Sequence, residues 1–232
     1  DNIALWQTIE NEAKKLFSAF GYQEIRIPIL EKTQLFARSI GEATDIVEKE
    51  MYTFEDRKGD KLTLRPEATA SIVRSYIQHK MYASDPVRKF FLIGPMFRRE
   101  RPQKGRYRQF YQIDAEVFGV ESAYVDSELI FILNELFKTL GLTGLSAHIN
   151  SLGCPECRPD FQKALLSLLE SKKDKLCDNC LSRMNKNPLR TLDCKVEACR
   201  QALSDAPSTI DHLCDVCNSH FNTVKKSLND QG

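Results

Sequence analysis

Eight cysteines in four close pairs constrain this chain more than any other feature of its sequence. In three pairs two residues separate the cysteines: Cys154 and Cys157, Cys177 and Cys180, Cys214 and Cys217. In the fourth pair, Cys194 and Cys199, four residues separate them. Because none precedes Cys154, we divide the chain into residues 1–150 and a cysteine-rich domain, 151–232. All eight are candidate ligands for two tetrahedral zinc sites, with the pairing open. Disulfides, free thiols and one zinc site with spare cysteines are alternatives.

The composition is that of an ordinary globular protein. Apolar residues make up 42% and charged residues 28%, which argues against a disordered or collagen-like chain. The net charge is +1, and no run approaches the roughly 18 apolar residues of a membrane span. Asp1 to Phe20 carries charges throughout and does not resemble a signal peptide. We therefore expect no membrane association.

Hydrophobic spacing predicts a mixed fold for residues 1–150. Helical stripes occur near the N-terminus, with Trp6 in the core, after Thr69 and from Val125 to Leu140. Strands are expected over 24–30, in a hairpin of 51–54 with 61–66, and over 90–93, 108–118 and 145–150. This order indicates an α+β fold, an antiparallel sheet flanked by helices, followed by a small, mostly helical cysteine-rich domain.

The segment from Arg98 to Arg108 is a strongly basic loop between two apolar strands. It contains six basic residues and one acid, with Pro102 and Gly105 marking the turn. A guanidinium group can donate two parallel hydrogen bonds to the oxygens of one phosphate, so such a loop suits a polyphosphate ligand. A solvated charged hairpin is the alternative. The glycine-rich phosphate-binding loops of other nucleotide sites do not occur.

The strand that follows alternates two kinds of side chain. One face is an ordinary core face, formed by Gln109, Tyr111, Ile113, Ala115 and Val117. The other carries a cation, an aromatic ring, an amide and two carboxylates: Arg108, Phe110, Gln112, Asp114 and Glu116. The second set suits a pocket floor better than a core, although a solvent-exposed face remains possible.

Glu67 and Thr69 lie where an earlier strand gives way to a helix. Each has an ordinary structural explanation, Thr69 as a helix N-cap and Glu67 as a first-turn carboxylate. Both could also grip a substrate amino group. Together with the basic loop, these residues outline a site for a nucleotide polyphosphate beside a zwitterion.

Several of these segments resemble the class II aminoacyl-tRNA synthetases, and specifically the bacterial histidyl-tRNA synthetases. The segment Phe97 to Phe110 is similar to motif 2, and Leu64 to Thr69 to the amino-acid-binding segment. Residues 24–30, with Pro28, resemble motif 1, which builds the dimer interface. Ile40 to Met51 and Asn187 to Asp193 also fit the family.

The resemblance implies a role for each matching residue. Arg98 would be the catalytic residue, holding the ATP α-phosphate and the histidine carboxylate as they react. ATP contacts fall to Arg98, Glu100 (the adenine amino group), Arg106 (the γ-phosphate) and Phe110 (stacking). Histidine contacts fall to Glu67, Ala68, Thr69, Arg98, Gln112 and Glu116. The implied ligands and partners are ATP with Mg²⁺, L-histidine, tRNA(His) and a second copy in a homodimer, in the cytoplasm.

The sequence also departs from the family pattern. The second histidine signature, motif 3 and an anticodon-binding domain do not occur, so we expect this chain alone to form little adenylate. Residues 153–232 correspond to an insertion thought to contact tRNA, and six basic residues there could meet phosphates or be merely solvated: Lys172, Lys173, Lys175, Arg183, Lys186 and Arg190. The family does not require zinc, so any zinc would be structural. The competing functions are a non-catalytic paralogue that regulates ATP phosphoribosyltransferase and a zinc-ribbon RNA-binding module.

Overall fold

A computed structural model describes residues 2–41, 44 and 46–231. The chain forms two compact units, Asp1–Gly144 and Leu145–Gly232. The division therefore lies a few residues before the expected one. The short strand expected over 145–150 is absent from the described structure, because this stretch is mostly exposed and pairs with no other strand.

The described part of the first unit contains six strands in two three-stranded sheets. The strands are β1 (Gln23–Glu24), β2 (Leu30–Lys32), β3 (Tyr52–Glu55), β4 (Lys61–Leu64), β5 (Arg88–Phe97) and β6 (Gln109–Phe118). One sheet has the order β1-β5-β6, with β1 parallel to β5 and β6 antiparallel to it. The other is the antiparallel sheet β2-β4-β3, which contains the expected hairpin. The expected α+β class is confirmed.

The strand expected over 24–30 is split between the two sheets, so that prediction was wrong. Residues 25–29 belong to no strand, and Pro28 lies in this break. The Arg65 side chain donates a hydrogen bond to the Ile27 carbonyl at 2.8 Å, and the Arg65 backbone N–H donates to the Ile29 carbonyl at 2.9 Å. Distant donors therefore satisfy carbonyls that a continuous strand would have paired in a ladder.

Four α-helices pack around these sheets. They are α1 (Ile3–Ala19), α2 (Thr33–Ile40), α3 (Thr69–Gln78) and α4 (Ala123–Thr139), with short helical turns at Ile46–Glu50 and Met81–Ala83. One core cluster joins α1 and α4 to the β1-β5-β6 sheet: Ala13, Phe17, Tyr22, Phe91, Ile132 and Leu136. A second joins α3 to the same strands: Ile27, Ala68, Ile72, Phe90, Leu92 and Met96. Alternate residues of β5 thus enter opposite cores, which fixes the face that β6 presents to α3.

The first turns of α1 were expected in the core, but they lie outside it. Ile3 is 59% exposed and Trp6 is 45% exposed, whereas Ala13 and Phe17 are buried. The Trp6 ring lies at the edge of the sheet, with its centroid 4.9 Å from that of Tyr111 in β6. Of the family-like stretch 40–51, residues 42, 43 and 45 lie outside the described residues.

The second unit is mostly helical, as expected, and its described residues contain no strand. Its helices are α5 (Arg158–Ser171), α6 (Asp178–Lys186), α7 (Glu197–Ala202) and α8 (Asp215–Asp230), with short turns at Lys173–Lys175, Pro188–Thr191 and Thr209–His212. Its core mixes apolar side chains with three cysteines: Phe161, Leu165, Leu169, Leu176, Cys180, Met184, Cys194, Cys199 and Leu203. Among the described helices of both units, none is long and apolar enough to cross a membrane.

Candidate functional site

The basic loop is the tip of the β5–β6 hairpin. The Arg98 N–H donates to the Arg108 carbonyl at 3.0 Å, just beyond the last ladder pair of the two strands. Nearer the tip, the backbones of Gln103 and Arg106 exchange hydrogen bonds of 2.9 and 3.2 Å, and Gly105 takes a φ of 79° to close the turn. The loop is therefore an ordered ribbon that holds its charges at one end of the sheet.

Arg98 and Phe110 lie on the same side of this hairpin. The guanidinium carbon of Arg98 is 5.1 Å from the centroid of the Phe110 ring, within the range of a cation–π contact. The Nε atom of Arg98 donates to the Pro66 carbonyl at 2.9 Å, which ties it to the segment leading into α3. Two of the four residues that the resemblance assigns to ATP are thus adjacent.

The segment before α3 meets the polar face of β6. Thr69 donates from its hydroxyl to Glu116 Oε1 at 2.6 Å. Glu67 Oε1 accepts from the Ala70 N–H at 3.1 Å, so Glu67 caps α3 and Thr69 does not. Ala68 is fully buried in the core, so neither its side chain nor its backbone reaches the surface of this face.

Three carboxylates gather on this face, and Asp114 is the most perturbed. Burial raises the pKa of Asp114 to about 6, helped by the negative charges of Glu116 and Glu67. The positive charges of Arg65 and Arg98 oppose this rise without cancelling it. Burial also raises the pKa of Glu116, whereas the hydrogen bond from Thr69 lowers it. Such a cluster is stabilised by a bound cation.

Two buried acceptor atoms on this face lack a hydrogen-bond partner among the described residues: Gln112 Oε1 and Asp114 Oδ2. They belong to alternate residues of β6, opposite Gly94 and Leu92 of β5. A buried acceptor without a donor costs about 1–3 kcal/mol. An ammonium or other N–H group that reached both atoms would recover that cost, so this part of the face is suited to a nitrogen-bearing ligand.

Glu100 and Arg106 form an ion pair near the tip of the hairpin, with 3.1 Å between Oε2 and Nη1. The Arg106 side chain is 57% exposed and that of Glu100 is 20% exposed. Because the Arg106 end of this pair is exposed, its guanidinium can move to another anion when a ligand arrives.

Arg65 is a structural centre of the site that sequence reasoning did not assign. Its side chain is 4% exposed and donates from Nε to the Pro95 carbonyl at 2.9 Å, besides its bond to Ile27. Its Nη2 atom lies so close to Gly94 that a Cβ there would come within 2.6 Å. Arg65 thereby joins the two sheets behind the polar face and adds positive charge beside Asp114. A basic residue in an apolar strand followed by proline was the available signal.

In the second unit the eight cysteines form two groups, and none is in a disulfide. The outer cluster combines the first and last pairs: Cys154, Cys157, Cys214 and Cys217. The inner cluster combines the two middle pairs: Cys177, Cys180, Cys194 and Cys199. Within each group the sulfur atoms lie within 4.8 Å of one another. The structure therefore combines the first pair with the last and the second pair with the third, which the sequence had left open.

The candidate RNA-binding residues of the second unit are partly engaged in the protein. Lys172 forms an ion pair with Asp205, and Lys173 pairs with Glu170 at 3.1 Å. Arg183 donates to the Arg190 carbonyl at 3.2 Å. These contacts favour the alternative that several of the six are surface residues without an RNA partner.

Comparison with known proteins identifies the family. The sequence model described as "Histidyl-tRNA synthetase" matches residues 2–218. A histidine–tRNA ligase from Desulforapulum autotrophicum is 69% identical over 228 residues, which cover 98% of this chain and 54% of that protein. The chain belongs to the histidyl-tRNA synthetase family. It spans about half the length of the curated relatives it matches.

Solved structures agree with this assignment. The crystal structure of apo histidyl-tRNA synthetase from S. aureus matches with a TM-score of 0.74 and 35% identity, covering 98% of this chain and 51% of that one. An ATP phosphoribosyltransferase regulatory subunit/histidyl-tRNA synthetase from Bacillus halodurans matches with a TM-score of 0.63 and covers 97% of this chain and 60% of that one. At 17% identity the second match shows the fold alone. The resemblance to class II histidyl-tRNA synthetases is confirmed.

Proposed function

We propose that this chain forms the ATP- and histidine-binding surface of a histidine–tRNA ligase, which activates histidine and transfers it to tRNA(His). The contact between Arg98 and Phe110, 5.1 Å apart, carries the proposal. It brings a guanidinium and an aromatic ring to the strand whose same face bears Gln112, Asp114 and Glu116. Partners for a phosphate, a purine ring and an ammonium group are thus adjacent.

On the ATP side, Arg98 would contact the α-phosphate and Phe110 would stack on adenine. The hydrogen bond of Arg98 to the Pro66 carbonyl supports this role, because it holds the guanidinium in place before the ligand binds. Arg106 would leave Glu100 for the γ-phosphate. Glu100 would then be released to accept from the adenine amino group, which turns an ion pair of low stability into two ligand contacts.

On the histidine side, the ammonium group would meet Glu67 and Glu116, with Thr69 and Gln112 completing its surroundings. The buried Gln112 Oε1, which has no donor in the described structure, supports a polar ligand at this point. Arg98 would hold the histidine carboxylate beside the α-phosphate. Ala68 is fully buried between Glu67 and Thr69 along the chain, so it would have to become exposed to contact the ligand.

The reaction then needs positioning and charge stabilisation rather than a protein nucleophile. A histidine carboxylate oxygen attacks the α-phosphorus, the bond to the β-phosphate oxygen breaks, and pyrophosphate leaves. A hydroxyl at the tRNA 3′ end then attacks the acyl carbon and releases AMP. Mg²⁺ bound to the ATP phosphates would offset their negative charge.

The remaining partners follow from the same assignment. A homodimer through the segment of residues 24–30 is supported by Ile29 and Leu30, which are 45% and 42% exposed. The ligase would work on tRNA in the cytoplasm, with the second unit near the acceptor arm. A non-catalytic regulatory paralogue is less well supported, because the chain keeps Arg98, Glu100 and Phe110.

Histidine-dependent ATP–pyrophosphate exchange by the full-length protein that carries this chain tests the proposal. We expect robust exchange, and a loss of at least about 100-fold in Arg98→Ala, comparable with removing one oxyanion donor. Arg99→Ala is the matched control, because Arg99 is exposed and its replacement removes the same charge from the same loop. No exchange in the unmodified protein, or equal losses in both variants, would contradict the proposal.

A further inference from the structure

We propose that the second unit binds two structural Zn²⁺ ions, one in the outer cluster and one in the inner cluster. The inference is independent of the ligase chemistry, because none of these cysteines belongs to the first unit. It also goes beyond the sequence, which supplied eight candidate ligands and no pairing. Each cluster offers four thiolates, the ligand set of a closed structural zinc site.

The distances between sulfur atoms match a zinc tetrahedron. In the outer cluster Cys154 Sγ is 3.7 Å from Cys157 Sγ and 3.8 Å from Cys214 Sγ, and Cys157 Sγ is 3.9 Å from Cys217 Sγ. A zinc–sulfur bond of about 2.3 Å places the corners of a regular tetrahedron about 3.8 Å apart. A disulfide would need about 2.05 Å. The clusters are therefore spaced for an ion rather than for bridges.

The inner cluster has the same spacing in a drier setting. Cys177 Sγ lies 3.9 Å from Cys194 Sγ. Cys180 and Cys199 are fully buried, and Cys194 is 9% exposed. Four sulfur atoms brought together in this dry core form a complete ligand set for one Zn²⁺ ion.

Backbone groups around both clusters suit negatively charged sulfur. The Cys154 N–H donates to Cys157 Sγ, and the Cys177 N–H donates to Cys199 Sγ, each at 3.2 Å. Cys157, Cys177 and Cys214 each directly precede an α-helix, where the positive end of the helix dipole favours a thiolate. A zinc ion with four thiolates carries a net charge of −2, which these N–H groups help to stabilise.

The glycine before the first helix supports the outer site. Gly153 takes a φ of 67°, and a Cβ at that position would come within 2.8 Å of Cys157 Sγ. The backbone thus approaches the sulfur closely, which any residue with a side chain at this position would prevent. The outer ion would fasten the start of α5 to the start of α8, while the inner ion would fasten α6 to the segment leading into α7.

The two ions would differ in how easily they are lost. Three outer cysteines are partly exposed, whereas three inner cysteines are buried. A unit of about 90 residues has a modest core and gains from such cross-links. We therefore expect a chelator to remove the outer zinc first, with the helical content largely kept, and the inner zinc only as the unit unfolds.

Metal analysis of the full-length protein, purified without chelator, tests the proposal. We expect two zinc ions per chain, one in Cys154→Ser/Cys214→Ser and one in Cys177→Ser/Cys194→Ser. His212→Ala is the control, because His212 lies beside the outer cluster but contacts the Phe161 ring instead. That variant should keep two ions. If His212→Ala lost as much zinc per chain as a cysteine variant, the ligand assignment would be overturned.

A second measurement keeps the test decisive if the inner variant fails to fold. Native unmodified protein is treated with a thiol-alkylating reagent and analysed by mass spectrometry, with and without chelator. We expect all eight cysteines to be protected, then four outer ones to react after brief chelation. Iron in place of zinc, one zinc ion or none per chain, or disulfide-linked peptides would each overturn the proposal.

Discussion

Replacing Asp114 by asparagine should stabilise the free protein at neutral pH. Asp114 lies in β6 beside Glu67 and Glu116, and its Oδ2 atom is buried without a hydrogen-bond partner among the described residues. The aspartate charge is therefore unfavourable in the folded state until a cation arrives. Asparagine keeps the shape of the side chain and removes the charge.

The size of the effect follows from the pKa. Folding raises the pKa of Asp114 from its ordinary 3.8 to about 6. Each unit corresponds to about 1.4 kcal/mol, so the upper limit is about 3 kcal/mol. Because solvent still reaches part of the carboxyl group, we expect a gain of about 1–2 kcal/mol for Asp114→Asn at pH 8.

The sign of the pH dependence can be worked out from the same shift. A raised pKa means that the folded state binds the proton more tightly than the unfolded state. The stabilisation by this proton is complete below pH 3.8 and is lost as pH rises through 6. The advantage of Asp114→Asn should therefore be about half as large at pH 5 as at pH 8.

Urea unfolding followed by tryptophan fluorescence is the assay. Trp6 is the one tryptophan of the chain and lies in the first unit, so its signal reports the unit that contains Asp114. Glu121→Gln is the matched control, because Glu121 is an exposed carboxylate of the same unit. A variant that is less stable than the unmodified protein at pH 8, or a gain that does not shrink at pH 5, would refute the reasoning.

Three further predictions concern packing and the site. Gly94→Ala should cost about 1–3 kcal/mol in urea unfolding, because its Cβ would come within 2.6 Å of Arg65 Nη2, and the loss should shrink in an Arg65→Met background. In the full-length ligase, Thr69→Ala should raise the KM for histidine more at pH 6 than at pH 8, because the hydrogen bond that it removes lowers the pKa of Glu116. Thr69→Ser keeps the hydroxyl and should restore the pH profile of the KM. An equal rise in KM at both pH values would contradict this reasoning. Leu165→Ala should cost about 2–5 kcal/mol, read from the thermal unfolding of helical circular dichroism, because Leu165 is fully buried in the second unit.

The hairpin and its polar face were predictable because they depend on neighbours in the chain. The alternation along β6 holds for its later residues: Ile113, Ala115 and Val117 pack with the core on one side, and the polar residues lie on the other. Gln109 and Tyr111, which were expected on the same core face, are exposed instead. The helix that begins at Thr69 is also where the sequence indicated it. In each case the period of the side chains and the local turn residues decide the structure.

Other features depend on contacts between residues that are distant in the chain, and local sequence patterns cannot predict them. Residues 25–29 leave the strand because Arg65, far along the chain, donates to the Ile27 carbonyl. The stripe of α1 predicted a buried Trp6, but Trp6 packs against the exposed ring of Tyr111 on the edge strand β6 and remains 45% exposed.

The sequence by itself determined the family, the mixed fold of the first unit, the helical second unit and the residue types available for chemistry. Only the tertiary structure decided which cysteines share a cluster, that Asp114 is buried among like charges, and that Arg65 joins the two sheets. Ligand type and most of the secondary structure follow from the backbone and from neighbouring residues. Pairing, burial and pKa depend instead on which distant side chains enter the same few ångströms of space.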